Sequence, residues 1–273
     1  MRHLRKIIWL VTRFLRALYS GPCRTIVLPK TKWERSFRRF EWLSKHTLVF
    51  TDDTKGCEYD FAVPIKMSSF ERYNREGVDE SRLISPSKDV FELLNNKENF
   101  YSHFSNTKLK KYLPRDGATS FPLIAKPKVG ANSEGCELVR TAKELRDKEL
   151  DNNERFIFEE FIVGNSEYAC HAVVDCGKIL DHLTIEYVYS SEHPIKGEDL
   201  SSRNVVKEKY LFVLEQFLKE ISYSGICCFN YKVRDGVPVV FEINPRIGGS
   251  FCEFFLGVVP QLSKIKKSRE DHA

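Results

Sequence analysis

Glu242 and Asn244 stand two residues apart in Val237-Pro-Val-Val-Phe-Glu-Ile-Asn244, a run that reads as a strand. At that spacing both side chains leave one face, while Phe241 and Ile243 point to the other. A carboxylate and an amide carbonyl side by side are hard oxygen donors, of the kind Mg²⁺ takes when it is also held by nucleotide phosphates. Arg234-Asp-Gly236 lies between this run and Gly225–Val233, both rich in β-branched and aromatic residues, and signals a hairpin. The facing strand then offers Asn230 as a third oxygen donor. Pro245 stops the second strand, and Gly248-Gly249 lets backbone approach a neighbour closely. The alternative is a surface hairpin whose polar face meets water.

A second stretch has the chemistry to hold phosphate. Phe121–Lys126 reads as a strand ending in a lysine, followed by a small-residue loop from Gly130 to Gly135 that contains Ser133. Backbone N–H groups in such a loop fold over phosphates, and Lys126 adds a positive charge. No Gly-Lys-Ser/Thr comes after it, and the next element is a strand, so this is not a Walker loop. Taken alone, a strand-end lysine is as readily a solvated one.

The elements needed to position these residues are set by pattern. Thr25–Leu28, Leu48–Phe50 and Tyr59–Val63 read as short strands and 31–44 and Met67–Asn74 as helices, a small α/β unit with a largely parallel sheet. Ser87 caps a helix over Asp89–Leu94, and a second helix runs to about Ser105. Residues 106–120 read as a connector. Thr141 and Glu144 form a capping box. Arg155–Glu160 is an apolar strand meeting two acids, and Ala169–Val174 and Ile179–Tyr189 are strands joined by a tight turn at Asp175–Lys178. Residues 190–204 read as a polar loop, Val205–Ser222 as an amphipathic helix, and the segment after Phe254 as a short tail. The boundaries drawn are 1–20 for a basic amphipathic helix, 21–105 for the small α/β domain and 106–273 for the larger one.

Composition narrows the class. With 42% hydrophobic and 30% charged residues the chain is globular, and no uncharged run approaches a membrane span. Residues 1–40 carry eleven Lys or Arg against Glu34 alone, a local +10, so residues 41–273 carry −5 of the net +5. The basicity is terminal, and no nucleic-acid face is indicated. Eight cysteines without C-x-x-C or cysteine–histidine ligand spacing fit a reducing, cytoplasmic setting without zinc. In residues 2–19, Leu4, Ile7, Ile8, Val11, Phe14, Leu15 and Leu18 share one helical face, with Arg2, Arg5, Lys6, Arg13 and Arg16 supplying charge. That suits peripheral contact with the inner membrane face. Packing on its own domain or on a partner is equally open.

In this order, the lysine in Leu94-Asn-Asn-Lys97, the Lys126 strand with its glycine loop, Glu159-Glu-Phe-Ile162 and Phe241-Glu-Ile-Asn-Pro-Arg246 resemble the ATP-grasp superfamily, carboxylate–amine ligase type. The resemblance spans about residues 47–258. It implies an α/β protein with α+β lobes: an ATP-grasp fold behind a short α/β unit and the amphipathic helix. It also implies ATP with Mg²⁺, or Mn²⁺ in its place. Lys97, Lys126 and the loop Gly130–Ser133–Gly135 would hold phosphates, and Glu159, Glu160, Phe161 and Ile162 the adenine. Glu167 would bond the ribose, Glu242, Asn244 and Asn230 the metal, and Arg246 would face the γ-phosphate or an acyl-phosphate. The activity implied is ADP-forming coupling of a small or polymer-borne carboxylate to an amine. A noncatalytic nucleotide-binding or scaffold protein of the same fold is the alternative. Asn230 stands where relatives commonly carry an acid or Gln.

Overall fold

The computed structural model describes residues 2–115, 121–130, 134–150, 153–194 and 199–270. The first element is a helix, α1 (Arg2–Tyr19). Then come β1 (Thr25–Leu28), a single helical turn α2 (Glu34–Phe37) continuing as a 3-10 turn to Leu43, β2 (Thr47–Phe50), β3 (Phe61–Ala62) and α3 (Met67–Arg75). The strands form a parallel sheet in the order β2-β1-β3, as the alternation of short strands and helices implies. The helix expected over 31–44 is broken. Phe40 leaves helical geometry (φ −118°), so its ring meets Phe14 of α1 edge-on, with centroids 5.8 Å apart.

Two helices, α4 (Lys88–Asn95) and α5 (Lys97–Ser105), are capped by Ser87 and Asn96, whose side-chain oxygens accept from Val90 N and Glu98 N. They pack through Leu94, Phe100 and Phe104 against Phe217 of a later helix and Phe229 of the larger sheet. The strands β4 (Leu123–Pro127), β5 (Glu137–Val139) and β6 (Phe156–Glu160), with α6 (Ala142–Asp147) between the last two, make an antiparallel sheet in the order β5-β4-β6.

The second antiparallel sheet has the order β11-β10-β7-β8-β9, built from β7 (Ser166–Asp175), β8 (Lys178–Tyr189), β9 (Leu200–Val206), β10 (Gly225–Arg234) and β11 (Val237–Asn244). Both hairpin turns use left-handed backbone at two adjacent residues: Cys176 and Gly177 (φ 46° and 77°) and Asp235 and Gly236 (φ 50° and 77°). That is the geometry whose twist matches the flanking strands. Two expectations are corrected here. Residues 200–206 are an edge strand hydrogen-bonded along β8, and the helix starts later, as α7 (Leu211–Glu220). Strand β8 needs a partner for its outer groups, and ladder bonding outweighs the weak apolar pattern of Leu-Ser-Ser-Arg-Asn. The segment after Phe254 is no tail: a 3-10 turn (Gly249–Val258) leads into α8 (Val259–Glu270), burying Val258, Leu262 and Ile265.

Candidate active site

The two antiparallel sheets face each other across a cleft. From the smaller sheet comes Lys126, opposite Ile157 in the ladder; Glu159 is two residues beyond Ile157 and so emerges on the same face. Lys126 Nζ and Glu159 Oε2 meet at 2.8 Å, with Glu159 only 3% exposed. Burial pushes the Glu159 carboxyl upward, and Lys126 opposes that shift. Of the two adjacent acids, Glu160 also lines the first cavity, while its carboxylate accepts from Arg115 N (2.8 Å) and from Arg234 Nη1 (2.6 Å), tying this strand to the β10–β11 turn.

The larger sheet supplies the opposite wall. Asn230 pairs with Glu242 in register, and Cys228 with Asn244. The Asn230 side-chain amide donates to Glu242 Oε2 at 2.9 Å, while Lys97 Nζ lies 3.6 Å from Glu242 Oε1 and donates to Gly130 O at 3.4 Å. A β-bulge interrupts the ladder: Asn230 pairs Glu242 but Tyr231 pairs Val240, leaving Phe241 as the extra residue. The strict alternation expected for this strand therefore fails. Phe241 lines the cleft along with Glu242, and the Lys126 ammonium stands over its ring at 4.6 Å. The Tyr101 hydroxyl holds the extra residue by donating to its carbonyl at 3.0 Å.

Three cavities run into one another through shared residues. The first is lined by Lys126, Glu159, Phe161, Ile162, Glu167 and Lys232. The second holds Lys97, Lys126, Gly130, Glu134, Cys136 and Glu242. A third, of about 410 Å³, is walled by Asn230, Glu242, Asn244, Arg246 and Gly248–Ser250 on one side. His171 and Tyr187, on β7 and β8 of the same sheet, continue that wall, and Lys32 and Trp33 of the α/β unit also line the cavity. Thus Lys97, Lys126, Glu159, Phe161, Ile162, Glu167, Glu242, Asn244, Asn230 and Arg246 all line one continuous cleft. Gly130 and Gly135 bound the loop, and a Cβ on Gly135 (φ 71°) would sit 3.1 Å from Pro127. Ser133 lies outside the described residues.

Lys232 had no place among the sequence candidates. It is 5% exposed, donates to the carbonyls of Ile162 (2.8 Å) and Gly164 (2.9 Å), and stands 4.8 Å over the Phe161 ring. Burial pulls its ammonium down to about 8, against a raising effect of Glu167. The signal available was its spacing, since Asn230 and Lys232 share a strand face. Arg246, half-buried, donates to Asn95 Oδ1 at 3.2 Å, and desolvation lowers its guanidinium while Glu242 counteracts. Gly248 is fixed by crowding: a Cβ there would lie 2.5 Å from His171 Cε1.

The donor set fits a metal–polyphosphate group: two ammonium groups in a narrow chamber, with hard oxygens of Glu242 and Asn244 at its end. A family profile described as ATP-grasp domain matches residues 94–250. Among solved structures, D-alanine–D-alanine ligase from Bacillus anthracis superposes with TM-score 0.61 at 14% identity, covering 91% of this chain and 100% of that one. Phosphoribosylamine–glycine ligase from Thermotoga maritima gives 0.66 at 16%, covering 89% and 75%. L-amino acid ligase from Bacillus licheniformis gives 0.56 at 14%, covering 88% and 70%. At these identities the likeness is one of fold. No curated protein matches the chain.

Proposed function

The chain belongs to the ATP-grasp family, and on that premise we propose that it is an ADP-forming carboxylate–amine ligase working in the cytoplasm. The observation that carries the proposal is the shared chamber in which Lys97, Lys126 and Glu242 converge. Buried cations there have the charge to offset a triphosphate in a site that excludes water.

Within this proposal the adenine lies in the first cavity, against Phe161 and the backbone of Glu159–Ile162, with Glu167 at the ribose. The Ile162 and Gly164 carbonyls are already used by Lys232. Lys97, Lys126 and the Gly130–Gly135 loop with Ser133 hold the phosphates. Glu242 and Asn244 hold Mg²⁺ or Mn²⁺, which when bound supplies charge neutralisation at the phosphoryl oxygens. Asn230, by donating to Glu242, fixes the orientation of that carboxylate. The carbonyl oxygen of the same amide is the third, neutral oxygen donor to the metal.

The third cavity receives the acceptor. A substrate carboxylate attacks the γ-phosphorus in line, ADP departs, and an amine displaces phosphate from the resulting acyl-phosphate. Arg246 at the boundary steadies the charge on the acyl-phosphate. Lys32 and Trp33, from the α/β unit, suit a small or polymer-borne acceptor with an anionic and a flat portion. The test is calorimetry of ATP binding with and without Mg²⁺. Binding strengthened by the cation, and weakened in Lys126→Met, supports the proposal; an intact protein that takes up no ATP overturns it.

A further inference from the structure

Helix α1 is held to the protein by Trp9, Phe14, Ala17 and its charged side chains, and shows a second apolar face to solvent. Trp9, Phe14 and Ala17 are buried; the Trp9 indole donates to His182 O at 3.1 Å, and its ring meets Phe254 edge-on at 5.3 Å. Arg13 and Arg16 grip the buried carboxylate of Asp181 at 2.9 and 3.3 Å. Gly257 permits this approach, since a Cβ there would come 3.0 Å from that of Arg13. On the opposite side Leu4, Ile7, Ile8, Val11 and Leu15 are 48–57% exposed. The sequence pattern assigned Phe14 to this outer stripe; it is instead a core residue, 4% exposed. Trp42 and Tyr19, aromatic residues of the type that anchors at membrane interfaces, are 79% and 86% exposed.

A contiguous apolar face of this kind marks an interaction surface. Charge selects its occupant. Helix α1 contains no acidic residue, so two copies packed face to face would bring like charges together. Beside it, the single carboxylate of Glu253 is approached by Lys6 (2.7 Å), Arg39 (2.8 Å) and Arg203 (3.8 Å), a cluster with two positive charges in excess. Arg39 and Arg203 keep 60% and 46% of their side chains exposed. No helix among the described residues is long and apolar enough to cross a bilayer.

We propose that α1 is a rigid membrane foot: its outer apolar face lies in the interface of an anionic bilayer, with the Lys6–Arg39–Arg203 cluster against the headgroups. Apolar burial and attraction to anionic lipid together make such contacts stable. Because α1 is clamped to the body through Asp181 and Glu253, the contact fixes the whole protein in one orientation rather than tethering it by a loose arm.

Flotation of the full chain with vesicles tests this. Vesicles of equal parts phosphatidylcholine and phosphatidylglycerol should carry the protein, and phosphatidylcholine alone should carry far less. Ile8→Glu with Val11→Glu should lower the bound fraction by about tenfold or more. Its thermal unfolding should stay unchanged because both side chains face solvent. Phe212→Glu, equally exposed but on α7, should float as the parent does. A parent protein that stays in the aqueous phase overturns the proposal. So does a dimer by light scattering that the double variant dissociates without any vesicle uptake.

Discussion

Lys126 and Glu159 form a buried ion pair at 2.8 Å on one face of the smaller sheet, at the junction of two of the cleft's cavities. An ion pair removed from water persists only where geometry and further partners compensate the desolvation. The Phe241 ring beneath the ammonium is one such partner. In the proposed function, a cation held ready in this way meets a polyphosphate without first reorganising.

Lys126→Met leaves the buried Glu159 carboxylate without its ion-pair partner and should lower unfolding stability by about 3–5 kcal/mol. Lys126→Met with Glu159→Leu should regain most of that stability and none of the nucleotide affinity. Urea titration and calorimetry on the same samples separate the two effects.

Glu242→Gln keeps the hydrogen-bonding shape and removes the charge. Turnover should fall by about 10²–10³-fold, the scale for loss of one preorganised electrostatic group. Asn230→Ala should cost less, because it removes the donor that orients Glu242 and a neutral rather than a charged oxygen donor. ADP release at varied Mg²⁺ concentration should show a raised metal requirement in both.

Lys232 predicts a pH dependence of stability. Its ammonium is held at about 8, below the ordinary 10.5, so between these values the unfolded chain binds more protons than the folded one. Stability contributed at this site therefore rises with pH across that window, by up to about 1.4 kcal/mol per pH unit. Below pH 8 both states carry the proton and the burial cost is present in full. Lys232→Met should lack this slope when the two proteins are unfolded side by side.

Gly248→Ala puts a Cβ 2.5 Å from His171, whose ring is stacked on Phe251 and bonded to Ser250 Oγ at 2.8 Å and so has little room to retreat. It should destabilise by about 1–3 kcal/mol and distort the third cavity. Adding His171→Ala should relieve the stability loss, as read by thermal unfolding.

The hairpin carrying Glu242 and Asn244 was legible because Asp235-Gly236 needs left-handed backbone at both positions, and few dipeptides supply it. Lys97 and Lys126 were legible through their order along the chain. The bulge at Asn230/Tyr231 was not, since it depends on pairing between strands and leaves no mark in either one; Phe241 was therefore turned to the wrong face. Lys232 was hidden because a lysine in a strand is ordinarily solvated, and only the Ile162 and Gly164 carbonyls, some 70 residues away, make burial tolerable. Strand β9 and the C-terminal helix α8 were missed for a related reason: each is stabilised by the surface it covers rather than by its own pattern.

The central claim is activation of a carboxylate by phosphoryl transfer. Its most direct measurement is ADP release over a panel of paired acids and amines with Mg²⁺, combined with ¹⁸O labelling of the carboxylate in any active pair. Acyl-phosphate chemistry predicts ADP and phosphate in equal amounts, one labelled oxygen passing from acid to phosphate, and loss of both signals in Glu242→Gln. Nucleotide binding without turnover for every pair, or release of AMP and pyrophosphate, would contradict it.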